Sequence, residues 1–180
     1  MRREKNECKS LLCPAAPNKL NQKGGKPPAL PDIEYIINGL SLTIQEKKGE
    51  GVHGVVYKVK LDDGGEAAYK FITKATHDLV DDYLEIGILQ LITNIQSETS
   101  YFPELYDWGF EKSKNILWMG IELVETDLDT FNSKASSIDI IHKISFQIAR
   151  GLEFLHKHDF AHCDLKPANI GINKDNSIRL

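Results

Sequence analysis

Between Leu40 and Leu61 apolar and polar residues alternate on both sides of a glycine-rich stretch, in the run LSLTIQEKKGEGVHGVVYKVKL. A period of two is the mark of strands with one buried face, so two strands are expected around a turn. The run DDGG then predicts a second turn, and EAAYKFI a third strand. The period changes at Asp78: DLVDDYLEIGILQLITN is long, strongly apolar and free of proline, which predicts a helix from Asp78 to about Asn94 packed on that sheet. Gly87 weakens this helix by about 1 kcal/mol relative to alanine. Two further strands are expected near LYDWGFEK and NILWMGIEL. From Ser137 to His158, Ile141, Ile144, Ile148, Leu152 and Leu155 fall on one helical stripe, widened by Ile140 and Phe154, with Phe146 on the other face. Antiparallel strands followed by helices give an α+β pattern with a cleft where the two parts meet.

Residues 1 to about 31 differ in texture. They hold five of the seven prolines and almost no β-branched or aromatic residue, a composition that does not build a core. Through Lys26 the segment carries seven basic residues against Glu4 and Glu7, the charge run of a solvated arm, with docking as the alternative. The domain expectation is therefore a disordered basic, proline-rich arm over 1–31, followed by a strand-rich part over 32–124 and a helical part over 125–180.

At 180 residues, with 41% hydrophobic and 27% charged positions, the composition is that of one globular domain. The net charge of −4 argues against a nucleic-acid binder working by broad attraction to phosphates. Three cysteines at scattered positions, Cys8, Cys13 and Cys163, suit a reducing compartment better than a disulfide framework. The apolar stretch near the start is short and broken by Pro14, and no segment approaches the run needed to cross a bilayer. The expectation is an intracellular protein, cytoplasmic or nuclear, with no membrane partner.

Three positions suggest chemistry. The turn Gly49-Glu50-Gly51-Val52-His53-Gly54, followed by Val56, spaces its glycines so that backbone N–H groups can approach polyphosphate oxygens; an ordinary hairpin without a ligand is the alternative. It leads into a strand and no Gly-Lys-Ser/Thr follows, so it is not a Walker loop. Lys70 interrupts an apolar strand on the face of Ala68 and Ile72, where it needs a partner unless it reaches solvent along an edge. Glu85, with Ile88, Leu89 and Ile92 at helical spacing, places a carboxylate on an inward face, and a Lys70–Glu85 pair answers both anomalies.

With A67-A-Y-K70, Glu85 on the following helix, and H162-C-D164-L-K166-P-A-N169 appearing in this order after the glycine turn, the stretch from about Tyr35 to Leu180 resembles a eukaryotic-type protein kinase. The resemblance implies that Asp164 orients the substrate hydroxyl and accepts its proton, that Lys166 neutralises charge on the transferring phosphoryl group, and that Asn169 holds Mg²⁺. It implies that Lys70, fixed by Glu85, holds the α- and β-phosphates of ATP under the glycine turn. Val56 and Ala68 would contact adenine, Ile121 would be the gatekeeper, and Glu122 to Val124 the hinge. Lysine two places after the aspartate is the serine/threonine pattern, so the implied partner is a protein substrate phosphorylated on Ser or Thr. His162 is expected to pack and hydrogen-bond without transferring a proton.

Three departures qualify this resemblance. Cys163 stands where the family usually has an arginine that receives an activation-loop phosphate. Gly171 stands where a bulky apolar residue usually lies beneath adenine, which predicts a loss of up to roughly 1–3 kcal/mol of binding. The 180 residues also contain no Asp-Phe-Gly after NSIRL, so this polypeptide is expected to be inactive or nearly so, and the stripe of the 137–158 helix to lack its usual cover. The other readings are a non-catalytic relative that binds nucleotide or a partner, and a small-molecule phosphotransferase of related fold.

Overall fold

The computed structural model describes residues 29–51, 54–73, 79–95, 100–131 and 137–180. The arm expected at the start lies outside the described residues as far as residue 28, as do Val52 and His53 of the glycine turn.

Five strands form one antiparallel sheet: β1 (Thr43–Gly51), β2 (Gly54–Lys60), β3 (Glu66–Thr73), β4 (Leu105–Glu111) and β5 (Ile116–Glu122), in the order β1-β2-β3-β5-β4. The β2–β3 turn is the expected Asp-Asp-Gly-Gly. Asp63 accepts the N–H of Gly65 at 2.8 Å, and Gly64 takes φ +89°, a conformation that glycine adopts without strain. Burial alternates along β2, with Val55, Tyr57 and Val59 buried and the residues between them partly exposed.

The buried face of β2 belongs to a core that the hydrophobic pattern had not revealed. Helix α1 (Leu30–Gly39) starts with Pro31 in its first turn and lays Ile33, Ile36 and Ile37 on Tyr57, Val59, Ala67, Tyr69 and Phe71. Three nearly fully buried isoleucines contribute roughly 1.5–3 kcal/mol each, which explains how a ten-residue helix holds its place. An Asp32–Lys114 ion pair at 2.9 Å ties it to the β4–β5 turn.

Helix α2 (Leu79–Ile95) covers the opposite face, where Ile86, Ile72, Leu105, Leu117 and Met119 form a second core. Tyr83 meets Trp108 of β4 edge-on. The two helices thus cover opposite faces of the sheet.

Helix α3 (Ile138–Lys157) is capped by Ser137, whose hydroxyl accepts the N–H of Ile140, and it carries His156 and Lys157 in its last turn, where cations suit the helix dipole. Its stripe is not left bare. Ile144 packs on Ile170, Ile172 and Ile178, and Leu155 on Phe102 and Ile92, so the chain from 170 to 180 and the segment at 101–102 supply the cover that was expected to be missing. The cover is partial: Ile141, at the start of the stripe, stays exposed, as do Ile138 and Phe146 off it. Gly151 lets Leu180 lie close against the helix: a Cβ there would stand 2.4 Å from Leu180 Cδ1, so the leucine side chain would have to move.

A small second sheet joins β6 (Thr126–Asp127), β7 (Gly171–Ile172) and β8 (Ile178–Arg179) in sequence order. Gln147 and Lys143 of α3 clasp the β7–β8 turn through the carbonyls of Asn176 and Asp175. The result is the expected α+β architecture, a five-stranded small lobe followed by the beginning of a helical lobe. Among the described residues no helix is long and apolar enough to cross a membrane.

Candidate active site

The strand register gathers the first group. Val56 lies opposite Lys70, Lys58 opposite Ala68, and Ala68 opposite Ile121, so Val56, Ala68, Lys70 and Ile121 share the sheet face that α2 covers only in part. Lys70 Nζ donates to Glu85 at 2.9 and 3.2 Å, the pair anticipated from the two anomalies. Its setting is wetter than expected: the Glu85 side chain is 44% exposed and Lys70 21%. An accessible pair of this kind adds at most about 1 kcal/mol to stability, so its value lies in fixing where the ammonium points.

The glycines of the turn differ in what they do. At Gly54, φ is +112° and a Cβ would fall 2.1 Å from the Phe71 carbonyl oxygen, so the fold itself demands glycine. At Gly49 a Cβ would meet no atom within 4 Å, so packing does not demand it. A register shift falls between Lys47 and Gly49, the kind of strand irregularity that glycine suits.

The second group is built on a strained turn. Cys163 has φ +61°, and the Asp164 N–H closes back on the His162 carbonyl at 2.8 Å, a tight reversal that non-glycine residues adopt at a cost of about 1–3 kcal/mol. A 3₁₀ turn over Pro167–Asn169 follows, and buried Ile170 anchors it against α3. Between these fixed ends Asp164 Oδ2 accepts from Lys166 Nζ and Asn169 Nδ2, both at 2.8 Å, and Asn169 also donates to the Asp164 carbonyl at 3.0 Å. The Lys166 hydrogen bond first, and that of Asn169 next, hold the Asp164 carboxyl below the usual range. It is therefore ionised at neutral pH.

With its amide nitrogen so used, Asn169 has its Oδ1 left as an acceptor, a hard oxygen suited to Mg²⁺. Among the described residues no three His, Cys, Asp or Glu side chains could cage a metal.

Glu122 was read as a hinge contact, and its side chain turns to Arg179, which sequence reasoning had not singled out. Arg179 Nε and Nη2 each lie 2.7 Å from a different carboxylate oxygen, and Nη1 donates to the carbonyls of Ile178 and Ser100 at 2.9 and 3.3 Å. The Glu122 N–H goes to Glu104 O at 2.8 Å, whereas the Val124 N–H donates to no described group. Leu128 N donates to Ile170 O and Leu180 N to Tyr101 O, both at 2.8 Å, so the segments before and after 122–124 are each tied to the 170–180 hairpin.

His162 holds its Nδ1 buried with no hydrogen-bond partner among the described residues, so the expected hydrogen-bonding role is not realised at that atom.

The protein kinase domain model matches residues 42–180. Cell division control protein 2 homolog 3 of Trypanosoma brucei brucei is 31% identical over 136 residues, which make up 73% of this chain and 42% of that protein. The chain thus spans less than half the length of this relative. A lysine–glutamate pair on the sheet, a constrained Asp-Lys-Asn loop after α3, and a family match running from the start of the sheet to Leu180 agree: this chain belongs to the protein kinase family.

Proposed function

We propose that this chain binds ATP with Mg²⁺ between the open sheet face and the Asp164 loop, and that it is the nucleotide-binding part of a serine/threonine protein kinase acting inside the cell. The observation that carries the reading is the Lys70–Glu85 pair, set on the sheet face of Val56, Ala68 and Ile121. Bound ATP supplies the transferable phosphoryl group, and Mg²⁺ offsets the negative charge that builds on it.

The protein's own residues position and neutralise. Lys70, aimed by Glu85, holds the α- and β-phosphates under the glycine turn, from Gly49, Glu50 and Gly51 through Val52 and His53 to Gly54. Val56, Ala68 and Ile121 contact the base, and the backbone of Glu122 to Val124 meets its edge. Asp164 orients a substrate hydroxyl and takes its proton as the bond to phosphorus forms, while Lys166 stabilises the transferring group. Asn169 offers Oδ1 to the cation. Lys166 two places after Asp164 supports Ser/Thr over Tyr as the acceptor.

The test, on a form extended through an Asp-Phe-Gly element and the rest of the catalytic domain, is a phosphoryl-transfer assay with protein substrates, read by mass spectrometry. Phosphoserine or phosphothreonine that disappears in Asp164→Asn supports the reading, and phosphotyrosine, or transfer to small alcohols alone, contradicts it.

A further inference from the structure

Gly171 opens β7, and its backbone φ lies outside the left-handed region, so conformation does not ask for glycine there. Space does. A Cβ at Gly171 would stand 2.8 Å from both methyl carbons of Val124, closer than real Cβ atoms approach, and 3.0 Å from its Cβ. The volume that any side chain at 171 would fill is therefore already taken by the isopropyl group of Val124, delivered from the hinge.

Val124 is held there from both directions. Two residues earlier Glu122 is locked to Arg179 by paired 2.7 Å hydrogen bonds, and two residues later Thr126 pairs with Ile172 while Asp127 pairs with Gly171. Gly171 and Arg179 are themselves register partners, so one hairpin grips the hinge on both sides of Val124. The side chain is half-buried, with one side on β7.

We propose that Val124 is the floor of the base site: its side chain, seated on Gly171, provides the apolar surface on which a purine rests, in place of a side chain from 171. The proposal rests on the reading of this cleft as a nucleotide site. It reverses the expectation that Gly171 leaves the base unsupported.

A size exchange tests it. On the 180-residue chain, displacement of a fluorescent ATP analogue by adenosine is measured for the parent, Val124→Ala, Gly171→Leu and the double variant Val124→Gly/Gly171→Leu, with the thermal midpoint of each recorded. Val124→Ala should weaken adenosine about 5- to 10-fold with the midpoint nearly unchanged, in line with the loss of one to two buried methyl groups. Gly171→Leu should weaken it at least 10-fold, and the double variant should return to within about 3-fold of the parent, because the two volumes exchange places. Unchanged affinity in Val124→Ala, tighter binding in Gly171→Leu alone, or no recovery in a folded double variant overturns the proposal. Should Gly171→Leu not fold, Val124→Ala and the double variant still decide. A parent chain that does not bind adenosine removes the nucleotide reading and this proposal together, whereas a parent that binds and a Val124→Ala that binds equally well remove this proposal alone.

Discussion

Arg179 of β8 meets both carboxylate oxygens of Glu122 at the end of β5, Nε to Oε2 and Nη2 to Oε1, each at 2.7 Å. The side chains are only 16% and 21% exposed, so this is a paired, largely desolvated contact between segments 57 positions apart. Replacing Arg179 by methionine leaves the carboxylate unpaired. We expect a loss of about 2 kcal/mol, below the ~3–5 of a fully buried pair, with the double variant Arg179→Met/Glu122→Gln losing less than the sum. Urea denaturation of the three variants measures this, and strict additivity would argue against a direct pair.

Gly54 and Gly49 separate folding from binding within one turn. Gly54→Ala meets a carbonyl oxygen in a backbone region hostile to alanine, and should cost about 2 kcal/mol or more. Gly49→Ala, with nothing within 4 Å of its new Cβ, should leave the melting midpoint almost unchanged while weakening ATP. The comparison is a thermal melt beside a nucleotide titration, and a Gly49→Ala that melts like Gly54→Ala contradicts it.

Asp164 should titrate below 3.8, the ordinary value for an aspartate, because Lys166 and Asn169 both bond its ionised form. The sign follows: this stabilisation is present above the ordinary value and is lost as pH falls through the lowered one. Removing the larger cause by Lys166→Met should move the carboxyl titration upward, as followed by carbon-detected NMR. No movement would mean that the Lys166–Asp164 contact at 2.8 Å does not persist in solution.

Much of this architecture was legible from the order of residues. The alternation through β2 and β3, the apolar runs of α2 and α3, and the Lys70–Glu85 pair all follow from placing apolar and charged groups on faces. Helix α1 was not foreseen, although Ile33, Ile36, Ile37 and Leu40 repeat at helical spacing behind Pro31. It straddles the boundary expected at 31, is short, and follows a proline-rich stretch, so no element was assigned to it; a ten-residue helix is held by docking on the sheet. The cover on the α3 stripe could not be read either, since it comes from the hairpin at 170–180 folding back. Arg179 and the seat of Val124 on Gly171 escaped for the same reason, because each is defined by a partner distant in sequence.

Isothermal titration of the 180-residue chain with MgATP, beside Lys70→Met and Asp164→Asn, tests the central claim most directly. The account predicts saturable binding by the parent, at least 10-fold weaker binding in Lys70→Met because the phosphates lose their ammonium, and binding close to parental in Asp164→Asn. Absence of binding in the parent, or equal affinity in parent and Lys70→Met, would contradict it.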